Sequence, residues 1–176
     1  MAIQIIPDPL SLLRPVTKVI TVSKVRPANV TAYAAGQIVA DSTTAATLWS
    51  FAGVARANGL GAILQSVELI DSVAQTLKPD LELWLFDTAP STTAQNDAQA
   101  WAPTDAEMKF CLGYVALATG AFKTAGPNGV IAAEGLAKPL QCTAASVTVF
   151  GVLVVRNAYV PASAEELTLR MIVVQD

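Results

Sequence analysis

A serine, threonine or cysteine nucleophile needs a base beside it. The commonest such base is histidine, and the chain has none in 176 residues. A lysine or a carboxylate would have to take its place, yet neither GxSxG nor SxxK occurs. Paired carboxylates are the remaining route to acid–base chemistry. Glu68, Asp71, Asp80, Glu82 and Asp87 lie on or beside two candidate strands. Glu68 and Glu82 alternate with apolar neighbours, as the solvent side of a half-buried sheet does, and are read that way. Asp87 and Asp97 lack the dense oxygen-ligand spacing of a dedicated calcium loop. Cys111 and Cys142 stand apart with no CxxC and no histidine, so no zinc set forms. They are read as two buried, reduced thiols; a disulfide between adjacent strands is the other arrangement, and spacing does not place it. No GxGxxG or GxxxxGK[ST] is present. Gly59-Leu60-Gly61 precedes a strand instead of joining a strand to a helix, so it reads as a turn. The expectation is a chain without enzymatic activity, cofactor or metal.

The elements that carry these residues are strands. In Leu81–Phe86, Leu81, Leu83 and Leu85 share one face while Glu82 and Trp84 take the other. In Glu166–Gln175, Leu167, Leu169, Met171 and Val173 oppose Glu166, Thr168 and Arg170. Such period-2, β-branched runs predict strands packed on a core by one face. Ser146–Val155 begins the same way, then becomes apolar on both faces at Phe150, Val152 and Val154. That predicts a central strand, or one whose outer face meets a partner. Thr17–Val25 is β-branched. Ala62–Asp71 sets Ile63, Val67 and Leu69 against Ser66 and Glu68. Lys109–Leu117 follows a helix start with Thr104 as N-cap and Glu107 three residues later. Gln37–Ala40, Thr47–Phe51 and Pro139–Thr143 are shorter candidates. With no long amphipathic helix, the expected fold is all-β: an antiparallel β-sandwich of jelly-roll type, with an immunoglobulin-like sandwich as the alternative.

Three stretches do not fit strands. Thr88–Ala102 is small and polar and reads as a long loop; Trp101 at its end is either an anchor or an exposed contact residue. Thr119–Leu136, with Gly-Pro-Asn-Gly at 126–129, reads as irregular with a turn. Residues 1–15 form the third: Pro7, Pro9 and Pro15 favour an extended path, among Ile3, Ile5, Ile6, Leu10, Leu12 and Leu13. Six large aliphatics do not suit a solvated tail. The arm either packs on its own domain or docks on another subunit, and the proline-punctuated pattern favours docking. The domain plan is therefore an arm over 1–15 and one sandwich over 16–176.

Composition narrows the partners. Lys and Arg total 11 and Asp and Glu 14, a net charge of −3, so no basic footprint for nucleic acid exists. Charged residues make up 14%, against roughly 25% in average soluble proteins. A membrane span does not explain this. The longest charge-free window, 139–155, is 17 residues with Pro139, Gln141, Thr143, Ser146 and Thr148 inside it, against the roughly 20 apolar residues a span requires. The start, MAIQIIPDPLSLL, lacks the pattern of a signal peptide. The expectation is a soluble, unsecreted chain whose surface is partly covered by neighbours.

Three stretches carry a resemblance: Arg26–Val39 (RPANVTAYAAGQIV), Leu83–Pro90 (LWLFDTAP), and Phe150–Val154 with Ala158–Glu165 (AYVPASAE) and the closing strand. In this order the chain resembles the head decoration, or cement, proteins of tailed bacteriophages, of jelly-roll type, over about residues 26–176. The resemblance implies a structural virion protein on the outer surface of the capsid. It implies the major capsid protein and further copies of itself, as homodimer or homotrimer, as partners. Ile3, Ile5, Ile6, Leu10, Leu12, Leu13 and Trp101 are the expected capsid or subunit contacts. A carbohydrate- or receptor-binding jelly-roll module of the virion is the alternative, with Trp49, Trp101 and Tyr159 as its aromatic candidates.

Overall fold

The computed structural model describes residues 15–90 and 95–176. Eleven strands are described: β1 (Val16–Val25), β2 (Ile38–Val39), β3 (Trp49–Phe51), β4 (Gly61–Asp71), β5 (Leu81–Phe86), β6 (Cys111–Leu117), β7 (Lys123–Ala125), β8 (Asn128–Ala133), β9 (Lys138–Gln141), β10 (Val149–Val155) and β11 (Glu166–Gln175). One short helix, α1 (Asp105–Met108), and a 3-10 turn at Thr119–Ala121 complete them. The first sheet runs β1-β11-β4-β8-β7, with β9 also on β4; the second runs β2-β10-β5-β6, with β3 also on β10. All pairings are antiparallel.

β2 and β3 act as one interrupted strand, since both pair with β10. β8 and β9 do the same on β4. Setting aside β7, an added edge strand hairpinned to β8, eight strand positions remain, ordered 1-8-3-6 in one sheet and 2-7-4-5 in the other. This is the jelly-roll order, in which all connections but one inside this set cross between sheets. The immunoglobulin-like alternative is thereby excluded. The core lies between the sheets: Leu64, Val67, Leu69, Leu169 and Met171 from the first meet Leu83, Leu85, Val149 and Leu153 from the second. The alternation predicted for β5 and β11 is observed residue for residue.

Two expectations are corrected and one pair of alternatives is decided. Thr119–Leu136 is not irregular: β7 and β8 form a hairpin in which Ala125 faces Asn128 across Gly126-Pro127. Gly126 has φ 64°, which a first turn position of this kind requires and glycine adopts without strain. Second, Ile63 does not share the inner face with Val67. The register slips between Ile172 and Val173 against β4, so one extra residue lies on β4 near Gln65. The bulge reverses the alternation, and Ala62 and Leu64 point inward instead. Third, the outer face of β10 meets the chain's own segments. Val152 and Val154 are buried in a second apolar cluster with Ile38, Ala40 and Phe86, against Leu48, Trp84, Trp101, Met108 and Cys111. β10 is central, as one of the two readings had it.

α1 closes this outer cluster. Thr104 accepts from the Glu107 backbone N–H, and the Glu107 carboxylate accepts from the Thr104 N–H, the expected reciprocal cap. The two cysteines are free and sit in different clusters, Cys142 in the main core and Cys111 in the outer one. No bond joins them, and Cys111 is half-buried, short of the expected burial.

Candidate docking surface

β1 is an edge strand whose ten residues all pair with β11 in one unbroken register. The ladder continues one step further: the Arg26 N–H donates to the Glu165 carbonyl at 2.9 Å. Residues 26 and 165 extend the pairing of Val25 with Glu166. In an antiparallel pair, bonded and non-bonded residues alternate. The even residues of β1 therefore bond β11. The N–H and C=O groups of Thr17, Val19, Thr21, Ser23 and Val25 point away from it. Among the described residues no strand pairs with that edge. The same five side chains form the outward row, and all five are exposed. None is charged. Val19 and Val25 are 49% and 51% exposed, and Val16 at the strand's start is 46%. The strand's two charges, Lys18 and Lys24, take the inner parity.

Two buried cations fix this strand at its C-terminal end. Lys24 donates to Asp41 Oδ2 at 2.7 Å, to the Thr47 carbonyl at 2.6 Å and to Thr47 Oγ1 at 2.5 Å. It lies over the Trp49 ring at 5.6 Å. All three ammonium donors are used, tying β1 to the 41–49 stretch of the opposite sheet. Asp41 is held below the usual carboxylate range: burial opposes this, and hydrogen bonds from Lys24 and Thr47 outweigh it.

Arg26 anchors a larger network. Its Nε donates to Tyr33 Oη at 2.5 Å, Nη2 to Asp97 Oδ2 at 3.0 Å and Nη1 to the Ala162 carbonyl at 3.2 Å. Tyr33 donates to Asp97 Oδ1, which also accepts from the Ala40 N–H at 3.0 Å. Tyr33 stacks on Tyr159 with centroids 5.2 Å apart. Glu165 Oε1 is 3.8 Å from Arg26 Nη1, while Oε2 accepts from the Ala162 N–H at 2.9 Å and from Gln75. Arg26 and Asp97 side chains are both 1% exposed. Burial would lower the Arg26 pKa, but Tyr33 and Asp97 raise it further, so the guanidinium stays charged. Burial pushes both tyrosines far above their usual value. It also raises Glu165 to about 7, with the charge of Asp71 adding to the effect. Glu165 Oε1 has no hydrogen-bond partner among the described residues.

Sequence reasoning placed Asp97 in a loop as a weak calcium candidate and did not single out Arg26, Tyr33 or Glu165. Buried polar residues in connections leave no periodic trace. The available signal was the resemblance itself. Arg26 and Tyr33 lie in its first stretch, Tyr159 and Glu165 in its last, and the structure brings these four together. Ile3, Ile5, Ile6, Leu10, Leu12 and Leu13 lie outside the described residues. Trp101 is half-buried, its ring edge-on to Phe86 with centroids 6.0 Å apart, and its backbone N–H donates to the Gly36 carbonyl at 2.8 Å. Of the aromatic candidates for sugar stacking, Trp49 and Tyr159 are buried. Glu68 and Glu82 are half-buried on outer faces, each 2.5 Å from a cation, Arg170 and Arg156 respectively.

No family model and no curated protein sequence matches the chain. Among solved structures it is similar to a chain of the cyanophage Pam1 capsid asymmetric unit. Identity is 15% and the TM-score 0.34, over 92% of this chain and 86% of that chain. Among the described residues no helix is long and apolar enough to cross a membrane.

Proposed function

We propose that this chain is a structural protein of a phage virion, a decoration protein that binds the outer surface of the head and stabilises contacts between major capsid proteins. The observation that carries the reading is the β1 edge. It is the free edge of a ten-residue strand whose outward row is uncharged, pinned from behind by two buried cations and preceded by the aliphatic-rich residues 1–15. Left in water, such an edge is an aggregation site; covered by a neighbour, it is an interface. The motif resemblance supplies the kind of neighbour. The mechanism is additive burial. A standard interface buries roughly 1,600 Å² in total, and many identical copies together hold a lattice against internal pressure. The arm residues Ile3, Ile5, Ile6, Leu10, Leu12 and Leu13, with Trp101, are the proposed contacts. Major capsid protein and further copies of the chain are the proposed partners.

The test mixes purified full-length chain, or a chain lacking residues 1–15, with heads devoid of it, followed by sedimentation. The full chain is expected to pellet with heads at a fixed ratio to capsid protein. The truncated chain is expected to stay largely in the supernatant while keeping its β circular dichroism. Full-length chain that fails to bind heads overturns the decoration reading; truncated chain that binds equally well overturns the docking role of the arm.

A further inference from the structure

We infer that two copies of this chain pair through β1, edge to edge and antiparallel about a two-fold axis. This rests on the reading of the β1 edge as an interface, and it names the occupant.

Open strand edges are ordinarily blunted by shortness, lysine, proline or a bulge. Among the described residues, the other edges of this sandwich all carry such a device. On the far side of the first sheet, β7 is three residues with Lys123, and β9 is four residues with Lys138 and Pro139. In the second sheet β6 is bulged: Leu85 faces Gly113 but Phe86 faces Cys111, which leaves Leu112 extra. The opposite side of that sheet is broken into β2 and β3, two and three residues long. β1 has ten residues, no proline and no register shift.

A two-fold pairing must set the odd residues of β1 opposite one another, because only they present N–H and C=O groups to a new neighbour. Few registers remain, and charge separates them, since like charges directly opposed destabilise a strand pair. Centred on Thr21, the ladder opposes Lys18 with Lys24 of the second copy. Centred on Val22, it opposes Lys18 with Arg26. Centred on Val19, it avoids such pairs but shortens to residues 15–23. Centred on Ile20, it opposes Lys18 with Val22 and Lys24 with Val16, and it uses the whole edge from Pro15 to Val25. Thr17 then exchanges bonds with Ser23, and Val19 with Thr21. The ladder ends where Pro15, which owns no N–H, meets Val25. Val16, 46% exposed despite its inner parity, comes to lie against the stem of Lys24, whose ammonium Asp41 already holds. Such a contact is self-complementary, closes on itself and leaves no open edge at β1.

The test is the mass of the full chain in solution, by sedimentation equilibrium, for wild type and two double variants. Wild type is expected at twice 18.3 kDa. Both variants carry Thr21→Glu and differ only in the sign of the charge at residue 19; both positions are exposed. Val19→Glu with Thr21→Glu opposes two glutamates at each of two symmetry-related steps. It is expected to weaken association by at least about tenfold. Val19→Lys with Thr21→Glu opposes lysine with glutamate at the same steps and is expected to stay dimeric. A ladder centred on Thr21 or on Val19 sets like charges against each other in both variants, so only the proposed register separates them. Circular dichroism checks that both fold. A wild-type mass of one chain or of three, or equal association of the two variants, would overturn the pairing. A monomer that binds heads overturns this inference alone. A dimer that separates the variants as expected but binds no heads overturns the decoration reading alone.

Discussion

Stability of this protein is expected to fall as the pH rises from 5 to 8, and Glu165 is the residue responsible. Its carboxyl is pushed up to about 7 in the folded chain from an ordinary value of 4.5. The first cause is burial, since the side chain is fully enclosed. The second is the nearby charge of Asp71, whose own pKa burial also raises. Arg26 opposes the shift from 3.8 Å, but its short contacts go to Tyr33, Asp97 and Ala162. The folded state thus binds the proton more tightly than the unfolded state. A group raised in this way contributes stability that is fully present below the unfolded value and is lost as pH climbs through the folded one. A displacement from 4.5 to about 7 corresponds to about 3 kcal/mol. Urea unfolding at pH 5, 6, 7 and 8 measures it directly. Wild type should lose about 2.5 kcal/mol across that range, since pH 5 already lies above the unfolded value. Glu165→Gln should change by less than about 1 kcal/mol, because the amide oxygen can still accept from Gln75 and Ala162 without a charge to desolvate. A flat wild-type profile would refute the reasoning. A slope that survives in Glu165→Gln would assign the titration to Asp71 instead.

Other perturbations test the rest of the architecture. Arg26→Met leaves the Asp97 and Glu165 carboxylates buried without their cation and should cost about 3–5 kcal/mol at pH 7 in urea unfolding; a loss under about 1 kcal/mol would show the network to be marginal. Gly151→Ala places a Cβ 2.9 Å from Leu83 Cδ1 and 3.0 Å from Phe51 Cε2. Overpacking of that kind should cost about 1–3 kcal/mol, and an unchanged Tm would mean the two sheets can separate freely at β10. Trp101→Ala should lower stability by about 1–3 kcal/mol, since the indole shields Phe86 and the outer cluster; an unchanged Tm with lost head binding would make Trp101 a contact residue and not an anchor.

The strands that sequence patterning located are those with one wet and one dry face. β5 and β11 alternate strictly, because each lies in a sheet whose inner side meets the opposing sheet and whose outer side carries Glu82, Trp84 or Arg170. Patterning failed where the physical cause lay outside the strand. β7 and β8 hold Val130 and Ile131 as their only large apolar residues among Ala, Gly, Thr, Asn and Lys, too few to show an alternation, and their pairing makes them strands. Ile63 was misplaced by a bulge that depends on the partner register. The double-sided hydrophobicity of β10 was legible, but what covered its outer face was a loop some fifty residues away in sequence. The docking surface was half legible: β1 was readable as a strand, its edge position was not, and nothing in the pattern singled out Lys24 and Arg26 as buried cations.

Those two cations give the open edge its character. A strand with a free side would ordinarily fray, and ordering it on contact would subtract from any binding energy. Lys24 and Arg26 remove that penalty in advance. One ties β1 across the sandwich to Asp41 and Thr47, the other to Asp97, Tyr33 and the 159–165 segment that leads into β11. Neither contact touches the outward row, so the backbone groups of Thr17 to Val25 are held in strand geometry without being used. Buried ion pairs of this kind rarely add net stability over an apolar packing of equal volume. Their use here is better assigned to position: they hold an edge with an uncharged outward row in the shape that an incoming strand requires.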